Sequence, residues 1–229
     1  SFYAFAIWIG LGADYLRKFA PLAILIPIQM ASQTWDDHDR SGRYTCRDFG
    51  QNYLMTMQDE GYPIIFTNGD NDTFPLWYNQ EVEGVRRDTR DCNLEYLQTD
   101  WYIDQMKRPA YESPALPISW QREDYQEGKN EFMPVDTDSI TIGSGDNTMT
   151  ISLKGRQYLL KNELMVLDML SNAVGSRPFY ASISLGDNLS FLRDHFILEG
   201  LAYRISPSSV AQGQRVDVER LYDNIMHRY

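Results

Sequence analysis

The chain has 229 residues, 43% hydrophobic and 23% charged, enough apolar matter for one sizeable core. Its formal net charge of −11 argues against nucleic acid as a partner, because that binding depends on neutralising phosphates with Lys and Arg. Two cysteines, Cys46 and Cys92, form no metal-ligand pattern and stand as buried thiols or one disulfide.

The chain opens on Ser-Phe-Tyr inside an apolar run, which points to a piece of a longer protein. Phe2 to Ala13 is almost wholly apolar, and a second run from Phe19 to Ala31 is broken by Pro21 and Pro27. Neither reaches the ~20 residues of a straight membrane span. Still, the absence of a polar face from Phe2 to Ala13 favours lipid over the surface of a soluble domain. Residues 1–33 are therefore expected to meet a membrane. Arg17 and Lys18 would mark the turn between the runs as cytoplasmic, which places everything after Ala31 outside the cytoplasm. The competing reading is a pair of buried helices.

Asp36-Asp37-His38-Asp39-Arg40-Ser41-Gly42-Arg43 packs three carboxylates, an imidazole and two guanidiniums into eight residues. One reading is a cation or substrate site using Asp36, Asp37, His38, Asp39, Arg40 and Arg43. The other is a helix start capped by Asp39 or Ser41. Cys46, Phe49, Tyr53, Leu54 and Met57 then recur at helical spacing.

Gly61-Tyr62-Pro63 ends that helix and Ile64 to Thr67 begins a strand. Asn68 to Asp72 forms a loop, and Pro75 stands where an early helical position tolerates proline. Strand, loop and helix make half of an α/β unit, and in such sheets ligands bind beyond the carboxyl ends of the strands. Asn68, Asp70, Asn71 and Asp72 give this mouth carboxylates and amides, suited to sugar hydroxyls or a divalent cation. Asp70 and Asp72 also fit the Asp-x-Asp pattern by which many glycosyltransferases hold a metal and a nucleotide sugar, although helix capping accounts for the same residues.

Thr89 to Leu97 reads as a second strand, made less apolar by Asp91 and Glu95. Asp100 to Met106 reads as a short helix capped by Thr99. A Pro-rich excursion and a hairpin with a Gly-rich turn occupy about 107–155. Asn162 to Ala173 is a helix, and Phe179 to Leu185 a third strand followed by Gly186-Asp187-Asn188. Phe191 to Leu198 is predicted as a helix holding His195, Leu201 to Ile205 as a fourth strand, and Val216 to His227 as a last amphipathic helix. The predicted fold is α/β: a small, mostly parallel sheet of about four strands flanked by helices, spanning 34–229 and preceded by one or two apolar helices.

Several strings resemble a known family: Trp-Asp-Asp-His-Asp-Arg-Ser-Gly-Arg (35–43), Phe-Thr-Asn-Gly-Asp-Asn-Asp-Thr-Phe-Pro-Leu-Trp-Tyr (66–78), Gln-Glu-Val-Glu-Gly (80–84), Thr-Asp-Trp-Tyr-Ile-Asp-Gln-Met (99–106) and Leu-Glu-Gly-Leu-Ala-Tyr-Arg (198–204). The family comprises large bacterial multi-spanning membrane proteins that carry a domain of unknown function and are described as protein O-mannosyltransferase-like. The resemblance implies a domain that follows the last membrane helices, sits at the bacterial inner membrane and faces the periplasm. It implies a protein or glycan acceptor as partner. Such enzymes place their catalytic acidic residue in an early loop between membrane helices, and no position here matches it. Three functions are thus open: a domain positioning the acceptor, a non-catalytic peptide- or sugar-binding module using Trp77, Trp101 and Trp120, or a metal-dependent nucleotide-sugar enzyme using Asp70 and Asp72.

Overall fold

A computed structural model describes residues 2–145, 147–185 and 187–229. The chain divides into two compact units, one ending at Tyr44 and the other beginning at Thr45.

The first unit contains helix α1 (Phe2–Tyr15), a 3-10 turn (Ala20–Ile24) and helix α2 (Leu25–His38). Pro21 opens the 3-10 turn and Pro27 falls in the first turn of α2, where a missing N–H costs nothing. Neither helix buries a residue. At 14 residues, α1 is about 21 Å long. No helix among the described residues is long and apolar enough to cross a membrane. The second apolar run also grows polar, since Ser32 and Thr34 turn their hydroxyls back onto the carbonyls of Gln29 and Met30. The two runs are thus helical, with neither a span nor a buried interior in evidence among the described residues.

The second unit is a mixed α/β domain. Helix α3 (Thr45–Thr56) leads to β1 (Ile64–Thr67), α4 (Asp70–Glu81), β2 (Arg90–Asn93) and α5 (Asp100–Met106). The excursion carries a single turn, α6 (Arg122–Tyr125), then β3 (Phe132–Pro134) and the hairpin of β4 (Ser139–Ser144) and β5 (Asn147–Ser152), and β6 (Tyr158–Leu160) follows it. Then come α7 (Lys161–Ala173), β7 (Phe179–Ser182), β8 (Phe196–Leu198), β9 (Ala202–Ile205) and α8 (Val218–Asp223).

The main sheet has five strands in the order β2-β1-β7-β9-β8. β1 is parallel to β2 and to β7, whereas β9 runs antiparallel to both β7 and β8. Side chains alternate across it. Ile64, Phe66, Cys92, Phe179 and Ala181 pack into the larger core with α5 and α7. Ile65, Tyr180 and Ala202 face Tyr53, Leu54 and Leu76 from α3 and α4. Both faces are covered, as a parallel sheet requires. Both cysteines are free, Cys46 exposed and Cys92 buried.

Two expectations change here. The sheet is mixed rather than mostly parallel. The stretch predicted as a helix over 191–198 is a 3-10 turn (Ser190–His195) running into β8. The three residues Glu199–Leu201 between β8 and β9 suffice only for a hairpin, because parallel strands need a far longer crossover. A Cβ at Gly200 would run into the Tyr229 hydroxyl, so this tight corner also needs glycine. His195 is buried, with its ring nitrogens 2.9 and 3.1 Å from the carbonyls of Ser206 and Thr150.

Candidate functional site at the carboxyl edge of the sheet

The parallel strands end in polar residues. Thr67 closes β1 opposite Asn93 of β2, and Ser182 closes β7 on the other side. Where Ile65 and Tyr180 bury carbon against α3 and α4, the next residues along place hydroxyl and amide groups instead. A hydrogen-bonded chain results. The Thr67 hydroxyl donates to Asp91 Oδ1 at 2.6 Å and lies 3.0 Å from the Thr73 hydroxyl, which accepts from Asn93 Nδ2 at 2.7 Å. Asn93 Oδ1 accepts from the amides of Glu95 and Tyr96 at 2.8 and 3.1 Å. This turn stops β2 at Asn93, short of the strand expected through Leu97.

Helix α4 begins above this row. Gly69, at φ +74°, turns the chain into it, and Asp70 and Asp72 lie in the first turn, where the exposed N–H groups favour negative charge. The two part company there. Asp72 is 3% exposed, and its Oδ2 accepts from the hydroxyls of Ser182, at 2.9 Å, and Ser184. Burial raises the pKa of Tyr53, and the Asp72 charge adds to the shift. Asp70 and Asn71 are exposed, and half-buried Asn68 directs its amide toward Glu95 Oε1 at 3.5 Å. The structure thus gathers Asn68, Asp70, Asn71 and Asp72 at one mouth, with Asp72 occupied inside it.

The other predicted cluster belongs to the first unit. Asp36, Asp37 and His38 form the last turn of α2, with Asp39, Arg40 and Arg43 just beyond, all exposed. They end a helix rather than start one, and α3 begins only at Thr45. His38 Nδ1 lies 3.0 Å from the Thr34 carbonyl. Asp39 accepts from the Ser41 amide at 2.9 Å, and its hydrogen bonds with the Ser41 side chain and amide hold its carboxyl below the usual range. Among the described residues no three His, Cys, Asp or Glu side chains are grouped to hold a metal ion.

Beside the mouth runs a row of rings. Phe74 lies 5.6 Å from Trp77, Trp77 stacks on Tyr96 at 6.3 Å and 23°, and Tyr96 lies 6.0 Å from Trp101. Phe74 and Trp101 are 47% and 55% exposed. None of Trp77, Trp101 and Trp120 is fully buried.

At the open edge of β2 a cavity of about 210 Å³ lies against α4 and α5, lined by Trp77, Glu81, Arg90, Asp91, Tyr102 and Gln105 among others. Asp91 is 3% exposed, and burial pushes its carboxyl up to about 7, with the Asp72 charge adding to the effect. The Thr67 hydroxyl, the Trp77 indole and Arg90 oppose the shift. Burial also lowers the pKa of Arg90, whose Nη2 donates to the Gln105 carbonyl at 3.2 Å. Sequence reasoning passed over Arg90, Ser182 and Ser184 and treated Asp91 only as a blemish in a strand. That blemish was the available signal, since a charge inside a strand must find a partner or a purpose.

The fold is a mixed α/β domain whose parallel strands end in this polar edge. The chain belongs to the family TMEM260-associated domain 2, whose family model matches residues 46–148 and 136–221. No curated protein and no solved structure gives a significant match.

Proposed function

We propose that this chain is the extracytoplasmic part of a membrane glycosyltransferase-like protein of the O-mannosyltransferase-like kind, in which the carboxyl edge of the sheet positions a protein or glycan acceptor. The observation that carries this reading is the partly exposed row Phe74–Trp77–Tyr96–Trp101 beside the amides and carboxylates of Asn68, Asp70, Asn71 and Glu95. Aromatic faces receive the C–H faces of sugars and peptide side chains, and flanking polar groups satisfy hydroxyls and amides. The membrane part of the reading draws on α1, apolar on every side and without one buried residue, and on a family whose name refers to a transmembrane protein. Placement at a bacterial inner membrane, facing the periplasm, rests on the resemblance of the strings at 35–43, 66–78, 80–84, 99–106 and 198–204.

Within the Asp-x-Asp pair only Asp70 is open to a ligand, so the acceptor role is preferred to metal-held nucleotide-sugar chemistry. A purely binding role for the aromatic row is the second reading, favoured by the 55% exposure of Trp101. Acceptor glycosylation by the full-length protein, measured for Asp70→Ala and Trp101→Ala, tests the proposal. The expected result is a loss of about tenfold or more in each variant with normal folding. Unchanged glycosylation in both removes the proposed role.

A further inference from the structure

We infer that the cavity at the β2 edge is a subsite for one neutral hexopyranose unit of a glycan, seated against Trp77 and Tyr111 and hydrogen-bonded by Asp91 and Arg90. The inference deepens the acceptor reading and rests on it for the class of ligand.

Buried polar groups are normally satisfied, and each exception asks for a reason. Asp91 Oδ2 and Arg90 Nη1 are both buried without a hydrogen-bond partner, and both belong to side chains that line this one cavity. Consecutive residues of an edge strand send their side chains to opposite faces of the sheet, and a cavity at the open edge can be lined by both. A carboxyl that accepts when ionised and a guanidinium that only donates, both lining one cavity, suit a ligand that offers both roles. A sugar hydroxyl does so, donating to a carboxylate and accepting from a guanidinium.

Charge narrows the class further. Arg90 has Asp91 beside it and Glu81 lines the same cavity, so an anion gains little there, and the guanidinium opposes a bare cation. A neutral polyol avoids both penalties. Size agrees: about 210 Å³ is below the roughly 300–1,000 Å³ of pockets for drug-sized ligands and suits a single small ring. Half-buried Trp77 and exposed Tyr111 supply aromatic surface to the walls, with buried Tyr102 beneath them. Trp77 also stacks on Tyr96, so the external row of rings leads into the cavity.

The test uses the whole 229-residue chain in a sugar-free detergent such as lauryldimethylamine oxide. Methyl α-D-mannopyranoside and methyl β-D-glucopyranoside are the neutral probes, with glucose 6-phosphate as the charged control. Saturation-transfer NMR and tryptophan fluorescence report binding. The expectation is saturation transfer to at least one neutral glycoside, a Kd raised about tenfold or more by Asp91→Asn, and a change below about threefold in Tyr222→Ala, an exposed ring on α8 that does not line the cavity. Three results overturn the assignment: no transfer to either glycoside, equal binding by wild type and Asp91→Asn, or tighter binding of glucose 6-phosphate than of both neutral probes. If the assignment falls while Asp70→Ala and Trp101→Ala still lose glycosylation, the acceptor reading stands alone. Neutral-glycoside binding that depends on Asp91, with glycosylation intact in those two variants, separates the subsite from acceptor positioning.

Discussion

Asp72 and Asp91 stand at two places along the same polar edge, each 3% exposed, and they are treated very differently. Asp72, at the start of α4, accepts on one oxygen from two serine hydroxyls, one at the end of β7 and one in the turn after it. Asp91, on the outermost parallel strand, holds one hydroxyl and leaves its second oxygen without a well-formed hydrogen bond, although the Trp77 indole is near enough to lower its pKa. Buried polar groups stabilise a fold only when their hydrogen bonds are complete. Asp72 therefore reads as structure, fastening α4 to the end of β7. Asp91 reads as a cost to the fold, retained beside a cavity. The lesson is that acidity in a loop motif says less about a site than the satisfaction of each carboxylate does.

The largest expected effect breaks or confirms this contrast directly. Asp91 ionises near 3.8 in the unfolded chain but at about 7 in the folded domain. Between those values the unfolded state sheds a proton that the native state retains. Stability from this group is therefore complete below about pH 4 and falls as pH rises toward about 7. The accumulated cost at pH 8 is on the order of 4 kcal/mol. Asp91→Asn keeps the shape and cannot ionise. It should stabilise the domain by about 3 kcal/mol in chemical denaturation at pH 8 and by close to nothing at pH 4. A variant that is less stable than wild type at pH 8 would show that Asp91 is as well satisfied as Asp72.

The opposite sign is expected at the other carboxylate. Asp72→Ala removes the acceptor of the Ser182 and Ser184 hydroxyls at once. Hydrogen bonds to an ionised group contribute about 1.5–3 kcal/mol, and partial rehydration of the hydroxyls offsets some of the loss, so a destabilisation of about 2 kcal/mol is expected. Urea denaturation at pH 8 checks it. A neutral result would make Asp72 a second unfinished group and dissolve the distinction.

The two carboxylates were unequally legible in the sequence. Strand, loop and helix over 64–81 follow from a short apolar run, a Gly-containing turn and helical spacing, and the structure has β1 and α4 there. The hairpin β4–β5 follows from alternation and the helix α7 from its apolar periodicity. The partners of Asp72 were invisible, because Ser182 and Ser184 lie 110 and 112 residues away and only the parallel pairing of β1 with β7 brings them in. The stretch 191–198 reads as a helix in the sequence, and the tight return from β8 to β9, a tertiary pairing, decides the matter instead. Asp36 and Asp37 suggested a helix start because carboxylates favour that end of the dipole, yet α2 carries them in its last turn. The cavity at β2 depends on α4 and α5 flanking an edge strand, a tertiary arrangement that no local pattern encodes.

The smallest stability effect belongs to Trp101. Its ring contacts Tyr96 at 6.0 Å and Tyr102 at 5.6 Å, so some packing is lost in Trp101→Ala. More than half of the residue is already in water, and aromatic pairs contribute about 0.5–1.5 kcal/mol beyond the area they bury. The expected change is therefore under about 1 kcal/mol in urea denaturation, less than for either carboxylate. A loss exceeding that of Asp72→Ala would make Trp101 a core residue whose exposed face is incidental. The aromatic row would then be packing rather than a landing surface, and the unfinished hydrogen bonds of Asp91 and Arg90 would be left as the stronger sign of a ligand on this domain.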